Sequence, residues 1–409
     1  MVKYLSELFT KRLYLKLIIF GLLVQIISLF RNYPYNHPCG RVLDINSAMS
    51  VLINCDSAVY MKDAQNPIRL VNGESVYQDR PLPTLLVAVL SKFWHFLNLP
   101  DYYRDVQGNS GQMVTYSLIT YVIFLALSAA IFSFTCYLGI KSLFQFQQKL
   151  NIPNEIFIST AFIFVTALAM NEITKTFFWT PGSQMFNLLL PIYAFYLISR
   201  GDKTITDKFY LTQIFIVSLL LFSYAFFVIL IIPLLLIRWN KLRYRLLLCL
   251  IPIILYLTYP YLLNQFGGLY NNYAVGYRRM YVWVIDAYQQ NILFEKLSEY
   301  LGYFLKSIPV IPTIILLIAF IAFALMPRHI ILDFRSELVF TFVHILMISF
   351  YGYYSRRLTF PIFLFLLLTA IKLFFSLKND AQNKILQLVI SVLVPIAMGS
   401  WIFTLGPLV

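Results

Sequence analysis

Long apolar runs, each closed by a short basic cluster or a polar break, recur from one end of the chain to the other. A helix needs about twenty apolar residues to cross a bilayer. Runs of that order fall at 14–31, 114–138, 156–170, 183–199, 209–237, 246–263, 309–326, 338–353, 358–375 and 385–405. Leu82–Leu99 is also apolar but is interrupted by Lys92, Trp94 and His95. That mixture predicts an amphipathic helix lying along the outer interface, with Trp and Lys at headgroup depth. If it does not cross, the basic groups at Lys141 and Lys149, Arg200 to Lys208, Arg238 to Arg245, and Arg328, Arg335, Lys372, Lys378 and Lys384 all fall inside, as the positive-inside rule requires. The run 209–237 lies between two of these inner clusters, so it crosses an even number of times, as two short passes meeting at Ser223-Tyr224-Ala225. A polar turn at that depth must be wrapped by neighbouring helices. The expected fold is all-α: one polytopic membrane domain of about eleven crossings, N-terminus inside and C-terminus outside. Two long outer loops, 32–113 and 264–308, are expected to form its active-site face, the first containing interfacial helices.

Composition supports the membrane class and removes others. Of 409 residues, 60% are hydrophobic, 17% aromatic and 12% charged, and the mean hydropathy is +0.73, well outside the soluble range. The net charge of +14 sits at the ends of apolar runs, so no nucleic-acid partner is expected. Lys3, Lys11, Arg12 and Lys16 precede Leu17–Phe30 like a secretory signal, but the bulky Ile27-Ser28-Leu29-Phe30 offers no small-residue cleavage site. The run is therefore expected to remain as a first helix. Cys136 and Cys249 lie within apolar runs, whereas Cys39 and Cys55 share the first outer loop, where an oxidising compartment permits a disulfide.

The chemistry-bearing residues concentrate outside. The first outer loop holds Asp44, Asp56, Asp63, Glu74, Asp79, Asp101 and Asp105. Asp56 stands among apolar and small residues, from Val51 to Tyr60, where an ionised carboxylate has a partner or a task. Asp56 is either the N-cap of a helix Ser57–Gln65 or an acid-base group, and one residue can be both. Arg80-Pro81-Leu82-Pro83 starts the interface helix, with Arg80 either snorkelling to phosphates or gripping a ligand. The second outer loop mixes many Tyr with Arg278, Arg279, Trp283, Asp286, Glu295 and Lys306. This composition is that of an ordinary interfacial belt, and it would also suit a phospholipid or sugar held by ring stacking and guanidinium. Arg356 and Arg357 precede the Pro361 crossing at its outer end, against the positive-inside trend, which points to an anionic ligand. His37, His95, His329 and His344 fall on different elements, and no His-x-x-His, Cys-x-x-Cys or EF-hand spacing occurs. No Walker loop, Rossmann fingerprint or nucleophile elbow is present either, so a donor energised elsewhere fits better than a nucleotide.

Taken in order, Asp56…Tyr60…Ala64, Arg80-Pro81-Leu82-Pro83, the short hairpin Ser223 to Arg245, and Arg356-Arg357…Pro361 resemble the GT-C superfamily of integral membrane glycosyltransferases. The resemblance spans most of the chain and rests on the order of weak motifs. It implies a polyprenyl-phosphate-linked sugar as donor, a glycan or lipid acceptor, and membrane lipids as surroundings. By this likeness Asp56 is the catalytic acid-base group, and Arg80, Arg356, Arg357, Arg278 and Arg279 are donor-phosphate ligands. Tyr60, Glu74, Asp79, Gln184 and Trp179 are then substrate-binding residues. Two departures stand out. Gln184 replaces the acid that many members carry at the corresponding helix start, and no second acid pairs with Asp56, which leaves a divalent cation weakly supported. No cofactor is expected. Arg-Pro-Leu also resembles the phage-type serotype-converting glucosyltransferases. The setting implied is a bacterial inner membrane, with the active site facing outward and cell-envelope polysaccharide or lipopolysaccharide as product. The alternatives are a glycan polymerase or ligase, which would use the Arg278-Arg279 loop, and a lipid or polysaccharide transporter, which would want polar or Pro-broken helices at mid-membrane.

Overall fold

The computed structural model describes residues 2–28, 40–46, 49–107, 113–200, 206–236, 242–270, 282–307, 334–351 and 356–377. Helices dominate. In chain order they are α1 Val2–Ile27, α2 Cys55–Gln65, α3 Pro81–Phe96, α4 Leu118–Leu150, α5 Asn154–Ala169, α6 Glu172–Trp179 and α7 Met185–Ser199. There follow α8 Asp207–Leu221, α9 Ile231–Leu236, α10 Leu242–Gln265, α11 Val282–Gln289, α12 Leu293–Ser307, α13 Arg335–Tyr351 and α14 Arg356–Leu377. Single 3-10 segments cover Pro67–Leu70 and Ala225–Leu230. The chain is mainly helical, as expected, and two short antiparallel hairpins accompany the helices between α1 and α4. One pairs β1 Gly40–Asn46 with β2 Met49–Asn54, and the other pairs β3 Tyr103–Gln107 with β4 Met113–Ser117. Both are short runs of alternating character rich in Val, Ile, Thr and Tyr, which favour strands.

Helices α4 (Leu118–Leu150) and Arg245–Gln265 within α10 are long and apolar enough to cross a membrane. The pair α5–α6, bent by 65°, makes a third if it is one span. Shorter apolar helices run over Met185–Ser199, Ala225–Leu236 and Thr359–Leu373. The expected bundle of about eleven crossings is therefore only partly represented among the described residues. The runs 309–326 and 385–405 lie outside them. At the core, α4 and α7 pack against each other and against α14, with α5 and α1 alongside α4 and α8 beside α10. Close approach of α4 and α5 is made at Gly139, where a Cβ would stand 2.2 Å from the Phe164 ring. Small residues at such crossings let backbones meet where lipid supplies no hydrophobic drive. Between α13 and α14, Lys372 Nζ lies 2.5 Å from Glu337 Oε1, a carboxylate that is itself buried.

Among the described residues, two polar breaks matter for the site's position. The first separates α5 from α6 at Asn171, which is fully buried and satisfies both helix ends. Its Nδ2 donates to the Ala167 and Leu168 carbonyls at 3.0 Å each, while its Oδ1 accepts from the Thr174 amide at 2.7 Å. One side chain thus supplies partners to groups that a helix terminus leaves open. The end of α1 fixes the same corner: Gln25 Nε2 donates to Ala169 O at 2.7 Å, and Trp179 Nε1 donates to Gln25 O at 3.1 Å. The second break falls at Phe222–Tyr224, between α8 and the 3-10 segment, where the sequence places its hairpin turn. Its Phe222 carbonyl accepts from the Leu82 amide at 3.1 Å, which docks the start of α3 onto the bundle.

Helix α3 has sixteen residues and begins with Pro81 at its first position, after the N-cap Arg80. Its protein-facing side carries Thr84, Val87, Ala88 and Ser91 after Pro81 and Pro83, whereas the larger Leu86, Val89, Leu90, Phe93 and Phe96 are exposed. This is the reverse of a water-soluble amphipathic helix, and it suits lipid or interface on the outer side. Sixteen residues rise only about 24 Å, short of a crossing.

Candidate functional site

Asp56, the second residue of α2, is half-buried, and both its oxygens accept from beyond its own helix. Tyr77 donates its phenol hydrogen to Oδ1 at 2.5 Å, and Gln184 Nε2 approaches Oδ2 at 3.4 Å. The first is a short hydrogen bond of charge-assisted type and the second is loose. One turn along α2, Tyr60 lies against Tyr77 with ring centroids 4.5 Å apart and planes 3° apart. The Tyr60 hydroxyl is bonded to Ser183 Oγ at 2.7 Å. The chain ahead of α7 passes so close that a Cβ on Gly182 would lie 3.2 Å from the Tyr60 ring. Glycine is needed there for that approach.

The guanidinium of Arg80 stands over the Tyr77 ring, 5.8 Å from its centroid, and over the Tyr224 ring at 5.5 Å. Its Nε lies 3.3 Å from Asp79 Oδ2. Arg80 therefore does not extend freely into solvent. Aromatic faces hold it in a cation–π arrangement, at the junction of the segment leading into α3 with the Phe222–Tyr224 break. Burial pushes the Tyr60 phenol up to about 12, the nearby Arg80 charge and the Ser183 bond opposing it. Tyr77 is raised further, by burial first and then by the Asp56 charge. Both phenols keep their protons in any physiological medium.

A second network braces this one. Buried Asp63 accepts from Arg69 Nε at 2.8 Å and from Ser75 Oγ, and Ser75 Oγ in turn accepts from the Tyr77 amide at 3.0 Å. Burial raises the Asp63 carboxyl above the usual range, opposed by Ser75 and Arg69. Arg69 Nη1 also lies 2.6 Å from Glu74 Oε2. Gln78 Nε2 donates to the Leu70 carbonyl at 2.7 Å and the Leu269 carbonyl at 2.8 Å, while the Leu269 amide donates to Val71 O at 2.7 Å. The segments 70–78 and 264–270 are thus stapled together directly beside Asp79 and Arg80.

Of the residues singled out from sequence, Asp56, Tyr60, Asp79, Arg80 and Gln184 come together. Glu74 belongs to the Arg69 brace rather than to Asp56. Trp179 is buried, with its indole N–H directed to Gln25 O and Ser28 Oγ at the α1 corner. Arg278 and Arg279, the side chains of Arg356 and Arg357, and the Cys39–Cys55 pairing lie outside the described residues. The sequence reading missed Tyr77, Ser183 and Tyr224. Tyr77 had one available signal, a position three residues before Arg80 in the same polar stretch. Among the described residues, Asp79 Oδ1, Thr84 Oγ1, Thr180 Oγ1, Gln184 Oε1 and Ser223 Oγ are buried without a partner. All five belong to the segments that converge here, and each such atom costs about 1–3 kcal/mol when left unpaired. Comparison with protein-family models, with curated proteins and with solved structures finds no match for this chain.

Proposed function

We propose that the chain is an integral membrane glycosyltransferase that moves a sugar from a polyprenyl-phosphate donor to a lipid-linked or surface-glycan acceptor. The reaction takes place at the outer face of a bacterial plasma membrane. The observation that carries this reading is the shared use of Tyr77: an acid bonded to its hydroxyl and an arginine over its ring, so that a proton acceptor and an anion-stabilising group stand together. In the reaction Asp56 Oδ2 takes the proton from the acceptor hydroxyl, and the acceptor oxygen bonds to the anomeric carbon. The bond from that carbon to the phosphate oxygen breaks, with its electron pair leaving on the phosphate. One displacement inverts the anomeric centre through an oxocarbenium-like state. General-base help of this kind contributes about 10²–10⁴-fold, and a positioned cation such as Arg80 another 10²–10³-fold or so.

The unpartnered oxygens of Asp79, Thr84, Thr180 and Ser223 support the same reading. A polyhydroxylated ring brings both donors and acceptors to such groups. The exposed apolar side of α3 supports a donor lipid approaching laterally, without an aqueous pore. The test is transfer in proteoliposomes: purified protein, a panel of polyprenyl-phosphate sugars, and envelope glycolipids and glycans as the acceptor pool. Release of polyprenyl phosphate with sugar appearing on an acceptor in inverted configuration is expected. A folded protein that transfers from none of these donors contradicts the proposal.

A further inference from the structure

The geometry points to Tyr77 as the positioning residue of this transfer centre: its hydroxyl holds Asp56 Oδ1 and leaves Oδ2 as the oxygen that meets the acceptor. The inference rests on the glycosyl-transfer reading and adds a residue and a division of labour to it. Three observations carry it. The Tyr77–Asp56 bond, at 2.5 Å, is much shorter than the 3.4 Å approach of Gln184 to the other oxygen. An incoming hydroxyl therefore displaces Gln184 far more readily than Tyr77.

The ring is also fixed from several directions. It stacks on Tyr60, and its amide is held by Ser75, which is tied through Asp63 to Arg69. Arg80 stands over it. Finally, burial and the adjacent carboxylate keep the phenol protonated, so it is a donor at every working pH. Among the described residues, the titratable and charged groups around Asp56 are Tyr60 on its own helix and Tyr77, Asp79 and Arg80 on the segment leading into α3. Gln184, ahead of α7, is neutral, and Tyr121 on α4 is directed to Trp179 O at 3.0 Å.

The experiment is kcat and donor KM in the same proteoliposomes for wild type, Tyr77→Phe and Tyr60→Phe, and for Tyr77→Phe combined with Asp56→Asn. In Tyr77→Phe kcat falls about tenfold or more while the donor KM stays within about twofold, and in the Asp56→Asn background the same change costs less than about twofold. Tyr60→Phe loses the Ser183 bond and lowers kcat less than Tyr77→Phe does. Replacing Tyr77 by 4-aminophenylalanine, a weaker donor of nearly the same shape, also lowers kcat at unchanged KM, which keeps the test open if Tyr77→Phe does not fold. Transfer at the wild-type kcat in Tyr77→Phe or 4-aminophenylalanine protein, or an equal loss from Tyr77→Phe with and without Asp56, overturns the role of Tyr77 alone. Absence of transfer by folded wild type overturns the glycosyl-transfer reading and the role with it.

Discussion

Substituting Gly182 by alanine perturbs the site without touching any charged group. The added Cβ falls 3.2 Å from two ring atoms of Tyr60, where carbon–carbon contacts settle at about 3.5–4.0 Å. Ring or backbone must therefore move by about 0.5 Å. Tyr60 is only 2% exposed, stacked on Tyr77 and bonded to Ser183, so it cannot turn aside, and the displacement passes to Tyr77 and then to Asp56. Overpacking of this kind costs about 1–3 kcal/mol. A displacement of half an ångström at a positioned group is expected to lower transfer about tenfold, given that about 1 Å costs roughly 10²-fold. The measurement is thermal unfolding in detergent micelles combined with a double-mutant cycle against Tyr60→Leu, which removes the ring. Gly182 also has φ +157°, where an alanine is strained whatever its neighbours. Part of the cost therefore persists without the ring, and the clash predicts that the alanine costs about 1 kcal/mol less once the ring is gone. Effects that add within about 0.5 kcal/mol would refute the reasoning.

Four further outcomes are expected from the same contacts. Asn171→Ala leaves the Ala167 and Leu168 carbonyls and the Thr174 amide without their partner, and is expected to destabilise by about 3 kcal/mol in the same unfolding assay. Lys372→Met leaves Glu337 buried and unpaired, at a cost of about 3–5 kcal/mol, and Glu337→Leu in the same chain restores most of it. Gln78→Ala releases the Leu269 carbonyl and loosens the staple between the segments around Gln78 and Leu269, so amide exchange at Leu269 is expected to quicken by about tenfold or more. In a chain whose four cysteines are replaced, cysteines placed at Val71 and Leu99 are expected to react with an impermeant maleimide from the same side of the membrane. Labelling from opposite sides would mean that α3 crosses.

The parts of the fold legible in the sequence are those that a lipid environment dictates. Lipid requires long apolar helices, so α4, α5, α7, α8, α10, α13 and α14 fall where apolar runs predict them, within a few residues at most ends. A polar break inside such a run is conspicuous, and Ser223-Tyr224 marks the real interruption between α8 and α9. The α5–α6 bend was not legible, because the polar residue that makes it, Asn171, reads as an ordinary helix end until its three partners are seen. The hairpins went unread because short alternating segments are diluted by apolar neighbours on both sides. In the site, Asp56, Tyr60 and Arg80 were found by their order along one polar stretch. Their connection through Tyr77 was not, nor was the Tyr60–Ser183 bond, which joins residues 123 positions apart. Contacts at that separation leave no local pattern. Glu74 was drawn into the site by proximity in sequence, but its carboxylate turns to Arg69 rather than to Asp56.

The central claim is that Asp56 takes the acceptor's proton, and turnover of Asp56→Asn against wild type, in the same proteoliposomes and with the same donor, tests it most directly. Asparagine keeps the size of the side chain and can still accept from Tyr77, so the fold is expected to persist with an unfolding temperature close to that of the parent. The account predicts that transfer falls by about 10²–10⁴-fold. Equal turnover in the two proteins would contradict it.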